Sequence, residues 1–268
     1  MAVAGRELSS ELTTFQILFF RNIVSILVVS VYLSIKGWQL IRTQALPTHV
    51  VRNIAHFAGQ YGWFYGLAII PLSEVVAIEF TVPVWTAFLA LFMLGEKMTK
   101  ARIIAVVFGI IGMLMILRPG LATIKPAALA VLAGAVCFAI TNIKTKELAN
   151  VDHPVAILFY MTLIQLPLAM IPTLFDWVVP SSESLPWITV IGVTALSAHY
   201  CITRALQLVD ATVVAPMDFM RLPLITVIGF LLYGESIEWA VLFGACVMFV
   251  GNYVNIRAEN RLPMGIES

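Results

Sequence analysis

The stretch YGWFYGLAIIPLSEVVAIEFTVPVWTAFLALFMLGE, from Tyr61 to Glu96, decides the fold because the chain contains it in two copies. The second copy, YCITRALQLVDATVVAPMDFMRLPLITVIGFLLYGE, runs from Tyr200 to Glu235 and aligns with the first without a gap. In this register Glu79 aligns with Asp218, and each copy ends in Gly-Glu. An acidic residue and a Gly-Glu helix end at one fixed separation predict a duplicated unit, which is how many transporters are built.

The composition is typical of a protein that lies mostly within a membrane. Of the 268 residues, 60% are hydrophobic and only 12% are charged, whereas a soluble chain carries roughly 25% charged residues. Apolar segments long enough to cross roughly 30 Å of hydrocarbon as helices recur along the whole chain. They cover residues 13–36, 47–70, 74–95, 100–118, 125–146, 154–178, 186–208, 211–234 and 238–257. We therefore predict an all-α polytopic membrane protein with nine transmembrane helices.

The similarity between the two halves extends beyond the opening stretch. Gly112 aligns with Gly251, and we predict a first repeat at residues 1–120 and a second at 121–268. The second repeat contains five of the predicted helices and begins near residue 125, and nothing in the first repeat corresponds to its opening helix. We expect either that the true start codon lies upstream or that the chain is truncated.

An odd number of helices in each complete repeat predicts that the two repeats run through the membrane in opposite directions. The charges agree with this arrangement. Most Lys and Arg residues, Arg52 among them, fall on one side when the C-terminus is placed in the cytoplasm, as the positive-inside rule requires. Met1 then lies outside. Inverted repeats place the binding site near the middle of the bilayer, between the halves.

Glu79 and Asp218 are the leading candidates for binding residues. Each lies in the first half of a predicted apolar helix, where an ionised acid costs roughly 2.5–3.5 kcal/mol on insertion scales. Each is therefore expected to face a watery cavity, to hold a proton, or to form a structural ion pair. Arg21 and Arg221 are the candidate counter-charges, because Arg221 can pair with Asp218 on one helix face and Arg21 can pair or extend toward the outer surface. Either arginine can instead bind an anionic substrate group such as a carboxylate.

Aromatic and hydrogen-bonding residues stand side by side at matching positions of the two repeats. They are Gln60-Tyr61 in the first repeat and His199-Tyr200 in the second. Together with Trp85, these side chains can frame a flat or amphipathic ligand. The alternative is that they only form hydrogen bonds between neighbouring helices.

A polar face is predicted on the helix at 47–70. Asn53, His56 and Gln60 recur at spacings of three and four residues, which places them on one side of a helix. We expect this side to line a cavity. Gln165, in a later helix, is a weaker candidate of the same kind.

Pro83 and Pro223 lie within predicted helices, one position apart in the alignment of the repeats. Proline lacks the backbone N–H that a helix interior requires, so each is predicted to kink its helix. The kink can serve as a gating hinge or can shape the helix passively.

The residues also resemble a known family. The sequence IPLSEVVAIEFTVPVWTAFLALFMLGE, followed by a Gly-rich helix that ends in ILRPG (Ile116 to Gly120), resembles the drug/metabolite transporter superfamily and, within it, the EamA-type domain. The LFFRN sequence from Leu18 to Asn22 is similar to the second helix of family members, which often carries an Arg. The overall sequence is most similar to the S-adenosylmethionine-transporter-like branch. This resemblance covers nearly the whole chain and implies the fold and the transport class, while the substrate stays open because the superfamily carries amino acids, nucleotide sugars, cations and drugs.

We therefore predict a secondary transporter of a small metabolite (amino-acid-like, nucleoside-like or drug-like) that works by alternating access in the cell inner membrane. The alternative is an intramembrane enzyme or receptor that uses the same polar cavity. The sequence contains no HExxH, GxSxG, P-loop or dinucleotide fingerprint, so no catalysis, cofactor or metal is expected. The expected partners are a small-molecule substrate and the lipid bilayer, without nucleic acid, and a homodimer is left open.

Overall fold

The computed structural model describes residues 1–93, 99–118, 125–149, 151–208 and 221–259, without the side chains of residues 202–208 and 259. Within these ranges the regular structure is helical, with no β-strand. The helices are α1 (Ala2–Leu8), α2 (Thr14–Lys36), α3 (Leu46–Ile69), α4 (Leu72–Glu79), α5 (Val82–Met93), α6 (Lys100–Leu117), α7 (Pro126–Ala149), α8 (Pro154–Thr173), α9 (Ser184–Leu208), α10 (Arg221–Tyr233) and α11 (Trp239–Glu259), with a 3-10 turn at Trp38–Ile41. The all-helical prediction is confirmed for this part of the chain.

Six helical segments of the described residues are long and apolar enough to cross a membrane. They are Thr14–Lys36, Leu72–Met93, Lys100–Leu117, Pro126–Ala149, Pro154–Thr173 and Trp239–Ala258. The sequence predicts three more spans, which correspond to α3, α9 and the region that includes α10. Helix α3 is long enough, at 24 residues, but its buried polar face lowers its average hydropathy. The nine-helix arrangement and its inversion remain predictions.

Local sequence signals set the two ends of α2. The Thr13 hydroxyl accepts a hydrogen bond from the Gln16 backbone N–H at 3.3 Å, and the Gln16 side chain accepts one from the Thr13 N–H at 3.4 Å. This reciprocal pair is a capping box, which satisfies two donors that a helix N-terminus leaves free. Gly37 ends the helix with a φ of 104°, a backbone conformation that favours glycine.

The chain divides into two compact units. Unit 1 contains Met1–Ile69 and Ile140–Arg204, and unit 2 contains Ile70–Ala139 and Ala205–Ser268. Unit 1 therefore holds α1, α2, α3 and α8, whereas unit 2 holds α4, α5, α6, α10 and α11. Each unit contains residues of both predicted repeats. The division between the units falls within α7 and within α9.

In unit 1, α2 packs along α8, and α3 packs against both. One end of the α2–α8 contact is an apolar cluster that includes Val29, Leu33 and Met161. Toward the other end of α2 the buried residues become polar, beginning with Ser25, Asn22 and Arg21. The apolar cluster thus fixes the helices, and the polar residues follow from that register.

In unit 2, α6 packs on α11 through glycines. A Cβ atom added at Gly112 would lie 2.5 Å from the backbone oxygen of Gly244, and one added at Gly244 would lie 2.7 Å from that of Gly112. The two backbones therefore touch, which is the small-residue contact common between membrane helices.

Unit 2 also contains a break between α4 and α5. Because Pro83 has no N–H, it cannot bond to the Glu79 carbonyl, and the Val84 N–H bonds instead to the Thr81 carbonyl at 2.9 Å. The Thr81 hydroxyl bonds to the Ile78 carbonyl at 2.7 Å and covers part of the break. The helix is thus interrupted at Phe80 and Thr81, just before Pro83, while the kink itself stays a prediction. Pro223 lies near the start of α10, and the residues just before that helix are outside the described ranges.

Candidate functional site

A cluster of polar side chains lies buried in unit 1, between helices that are otherwise apolar. Its members come from α2, α3 and α8, and each is at most 3% exposed. They are Arg21, Asn22, Arg52, Asn53, His56, Gln60 and Gln165. We call this set the polar core. Ionisable residues among membrane helices are costly and commonly functional, so the polar core is the candidate site.

Arg21 lies at the α2–α8 contact and is only 1% exposed. Its Nη2 donates to the Gln165 Oε1 at 2.9 Å and to the Asn22 Oδ1 at 3.2 Å. Of the alternatives left open for Arg21, extension toward the outer surface is not seen, because Gln165 on α8 holds the guanidinium inside the unit. An amide can accept from a guanidinium but cannot neutralise its charge.

Gln165 connects the three helices of the polar core. Since an arginine only donates, the Gln165 Oε1 must face Arg21, and its Nε2 must face the other way. That Nε2 lies 2.8 Å from the His56 Nδ1 and 3.5 Å from both the backbone oxygen and the Oδ1 of Asn53. His56 Nδ1 therefore accepts, and the proton of a neutral ring lies on Nε2.

Arg52 is the second cation of the polar core. Its Nη1 donates to the Asn53 Oδ1 at 2.7 Å, and its Nε donates to the Thr145 Oγ1 at 3.0 Å. The sequence counted Arg52 only among the charges on the cytoplasmic side, whereas in the structure its side chain is buried, with 3% exposed. Its spacing of four residues from His56 is the signal that places it on the same buried face of α3.

The polar core carries more positive charge than its own residues neutralise. In the part of the chain that the structure describes, neither Arg21 nor Arg52 forms an ion pair with a carboxylate. Several buried donors also lack an acceptor there, namely Nε and Nη1 of Arg21 and the Nδ2 atoms of Asn22 and Asn53. Among the described residues of the polar core, one buried acceptor, the Oε1 of Gln60, has no hydrogen-bond donor. The unsatisfied groups are thus mainly donors.

Aromatic rings lie around the polar core within unit 1. His199 of α9 contacts His56 edge to face, with ring centroids 5.1 Å apart. Tyr61 packs against Phe15, with centroids 4.6 Å apart. Tyr200 is 45% exposed. Of the aromatic candidates from the sequence, His199 thus contacts the polar core directly, and Tyr61 contacts α2.

Glu79 and Arg221 form an ion pair in unit 2. The Glu79 Oε1 lies 3.1 Å from the Arg221 Nη2, and the Arg221 guanidinium lies 5.6 Å from the centre of the Phe80 ring. Glu79 is the last residue of α4, at the break, and Arg221 is the first of α10. The Nε1 of Trp85, on α5, donates to the Thr81 Oγ1 at 3.1 Å. Asp218, the predicted partner of Arg221, lies outside the described residues.

The Gly-Glu helix end in the second copy has a specific contact. The Glu235 carboxylate accepts a hydrogen bond at 2.9 Å from the backbone N–H of Leu72, the first residue of α4. A Cβ atom added at Gly229 would lie 2.5 Å from the Glu235 Oε2. The carboxylate can therefore occupy this position only because residue 229 has no side chain. Glu235 therefore caps α4, which was not predicted from the sequence.

A second polar contact in unit 1 was also missed. The Asp152 carboxylate lies 2.7 Å from the His49 Nε2 and accepts a hydrogen bond from the Thr43 hydroxyl at 2.7 Å. The Tyr160 ring packs on His49 at a centroid distance of 4.5 Å. A groove of about 850 Å³ runs along Thr43, Asp152 and Tyr160. Asp152 and His49 lie 103 residues apart in the sequence, and no local pattern connects them.

Comparison with known proteins gives one family. The EamA-like transporter family matches residues 1–118 and 125–257. An S-adenosylmethionine uptake transporter of Rickettsia prowazekii (strain Madrid E) is 26% identical over 259 residues, which are 97% of this chain and 88% of the relative. A riboflavin transporter of Vibrio cholerae serotype O1 is 28% identical over 229 residues, which are 84% of this chain and 76% of the relative. The resemblance inferred from the sequence is confirmed.

A solved crystal structure shows the same fold. It superposes with a TM-score of 0.70 at 16% identity and covers 97% of this chain and 93% of the other. At this identity the likeness concerns the fold alone.

Proposed function

Because the chain belongs to the EamA-like transporter family, we propose that it is a secondary transporter that moves a small metabolite by alternating access. The chain is a multi-pass membrane protein, and relatives are named as transporters of S-adenosylmethionine and of riboflavin. We place it in the cell inner membrane, with the C-terminus in the cytoplasm.

The polar core is the observation that carries this proposal. Burial of two arginines and several amides between apolar helices lowers stability unless the groups are paired. The packing of α2 on α8 already has an apolar cluster for adhesion, so the polar core is not needed to hold these helices. A polar, hydrogen-bonding interior is what a metabolite needs to leave water and enter the membrane.

The proposed architecture is a pair of inverted repeats, at 1–120 and 121–268. The family match in two segments supports a duplicated unit. The break between α4 and α5 supports a transport role as well, since discontinuous helices are typical of transporter sites. Alternating access needs such places where a helix can bend.

We propose that the candidate residues identified in the sequence take part in substrate binding. The set is the one predicted from the sequence, namely Arg21, His56, Gln60, Tyr61, Glu79, Trp85, His199, Tyr200, Asp218 and Arg221. In this set Glu79 has an arginine partner, which fits either a structural ion pair or a proton-linked switch, whereas Arg21 has amide partners.

Transport by the purified full-length protein in liposomes tests the proposal. Labelled S-adenosylmethionine, riboflavin and amino acids are supplied outside, with and without a pH gradient, and uptake and exchange are measured. We expect at least one compound to enter well above the rate of protein-free liposomes. We also expect Arg21→Gln to lower that rate at least about tenfold, while Arg42→Gln, at an exposed position, leaves it unchanged.

Two outcomes would reject the transporter assignment. In one, no compound moves in either uptake or exchange, although the protein is folded and correctly inserted. In the other, the label is converted to a new compound, which would instead identify the intramembrane enzyme of the alternative hypothesis.

A further inference from the structure

The chemistry of the polar core selects the kind of group that it can bind. Arg21 is 1% exposed, and its Nε and Nη1 find no acceptor among the residues that the structure describes. The Nδ2 atoms of Asn22 and Asn53, both fully buried, are in the same condition. A buried donor without an acceptor costs about 1–3 kcal/mol, so a ligand that supplies acceptors is favoured.

These donors belong to one hydrogen-bonded network. Arg21 bonds to Asn22 and Gln165, and Gln165 reaches His56 and Asn53. The amide oxygens face the arginines, which only donate, so the amide N–H groups must face elsewhere. The network therefore presents donors and positive charge together.

Charge balance strengthens this selection. Arg52 adds a second guanidinium to the same network through Asn53, and no carboxylate within the described ranges pairs with either arginine. An anionic ligand offsets part of the penalty of these buried cations, whereas a neutral ligand does not. Hydrogen bonds between a guanidinium and a carboxylate are also about twice as strong as neutral ones.

We infer that the polar core binds the carboxylate of an organic substrate, with Arg21 as the residue that contacts it and with Asn22 and Asn53 as additional donors. This inference rests on the proposed function for its substrate, but not for the binding itself. It narrows the open substrate class to metabolites that carry a carboxylate.

Binding by the full-length protein in lipid nanodiscs tests the inference. Thermal unfolding is followed while amino acids, mono- and dicarboxylic acids, S-adenosylmethionine, riboflavin and inorganic phosphate are added. For the acid that stabilises the protein most, the dissociation constant is compared with that of its carboxamide or decarboxylated counterpart. We expect the counterpart to bind at least about tenfold more weakly.

The variant Arg21→Gln tests whether the difference in dissociation constant between the acid and its counterpart arises at the polar core. We expect the acid and its counterpart to bind this variant equally, whereas Arg42→Gln, which removes the same charge from an exposed position, discriminates as the wild type does. If Arg21→Gln does not fold, Gln165→Glu replaces it, because a carboxylate beside Arg21 should abolish binding of the acid.

Three results would overturn the inference: no carboxylate stabilises the protein, the counterpart binds as well as the acid, or Arg21→Gln still discriminates. Protection by inorganic phosphate equal to that by the best acid would also overturn it, since the site would then take free anions. Binding without transport would reject the proposed function alone, and transport of acid and counterpart at equal rates would reject this inference alone.

Discussion

Unit 1 and unit 2 each contain an arginine between helices, and the two arginines have opposite kinds of partner. In unit 2, Arg221 meets the Glu79 carboxylate at 3.1 Å, and the two side chains are 37% and 20% exposed. In unit 1, Arg21 is 1% exposed, and its hydrogen-bond partners among the described residues are the amide oxygens of Asn22 and Gln165. The charge of Arg221 is therefore balanced by a carboxylate of the protein. The charge of Arg21 is held by neutral amides and is not balanced by them.

The difference separates two uses of the same residue type. An arginine paired with a carboxylate already has a counter-charge within the protein. An arginine held by neutral amides is fixed in place while its charge stays available, at a cost in stability. Substitutions that exchange these two conditions therefore test which unit recognises the substrate.

The largest effect is expected from Gln165→Leu. This change removes the acceptor of Arg21 at 2.9 Å and the donor to His56 at 2.8 Å, and it leaves a buried cation with Asn22 as its one remaining partner among the described residues. We expect the free energy of unfolding to fall by about 3 kcal/mol, measured by thermal unfolding in nanodiscs. Gln44→Leu, at an exposed position, is the matched control. A loss no larger than that of the control would mean that Gln165 does not hold Arg21.

Gln165→Glu is expected to have a smaller effect of the opposite sign. The new carboxylate has the shape of the amide that it replaces, and it gives Arg21 the kind of partner that Arg221 already has. The His56 ring can change tautomer and donate to it. We expect a gain of about 1.5–3 kcal/mol in unfolding free energy, together with loss of transport, in parallel unfolding and uptake assays.

A fall in stability for Gln165→Glu, with uptake preserved, would contradict the comparison. It would show that another group already neutralises Arg21. Asn142→Asp, on an exposed position of α7, adds the same charge outside the polar core and controls for the change in net charge.

Breaking the ion pair of unit 2 should matter less. Because the Glu79 and Arg221 side chains are partly exposed, Glu79→Gln is expected to lower the unfolding free energy by about 1 kcal/mol or less. If Glu79 also exchanges protons during transport, the variant will fold normally and its uptake will no longer depend on pH between about 5 and 8. A double-mutant cycle with Arg221→Gln isolates the pair from the single substitutions.

A loss of several kcal/mol for Glu79→Gln, recovered in the double variant, would assign the pair a structural role. Uptake at the wild-type rate at every pH would remove Glu79 from the proposed site.

The smallest effect concerns a charge at the surface of unit 1. The carboxylate of Glu11 accepts hydrogen bonds from the Ser184 hydroxyl and from the Ser181 N–H and hydroxyl. These bonds, with Ser184 as the largest cause, lower the pKa of Glu11 from 4.5. A lowered pKa stabilises the folded state above 4.5, and this contribution is lost as the pH falls through the folded value. Glu11→Gln should therefore show a smaller drop in melting temperature on acidification than the wild type, and equal drops would contradict this.

The helices were predictable because apolar length and capping signals are local properties. The predicted segment at 13–36 and the observed Thr14–Lys36 agree closely, since Thr13 and Gly37 mark the ends. The segment at 154–178 was predicted too long. Helix α8 ends at Thr173, and the apolar residues that follow, such as Phe175, are exposed. Apolarity alone does not say whether a residue extends a helix or covers its end.

The site was only partly predictable because its contacts join distant parts of the chain. The spacing of Asn53, His56 and Gln60 identified the polar face of α3, and Arg21 was recognised as a charge in an apolar helix. The amide of Gln165 that joins them lies more than a hundred residues further along, and no local pattern connects the two. Arg52 was counted from the sequence as a charge on the cytoplasmic side, because the positive-inside rule counts charges and does not test burial.

The cap on α4 has a consequence for the order in which the protein is made. Helix α4 begins at Leu72, but the carboxylate that accepts its first N–H belongs to Glu235. A ribosome completes α4 long before it reaches Glu235, at about 5–20 residues per second. During this interval the start of α4 has no cap from its final partner, and Gly229, which makes room for that partner, has not been synthesised either. Unit 2 therefore reaches its final structure only after Glu235 has been translated, and a ribosome that stalls between Leu72 and Glu235 leaves the start of α4 without this cap.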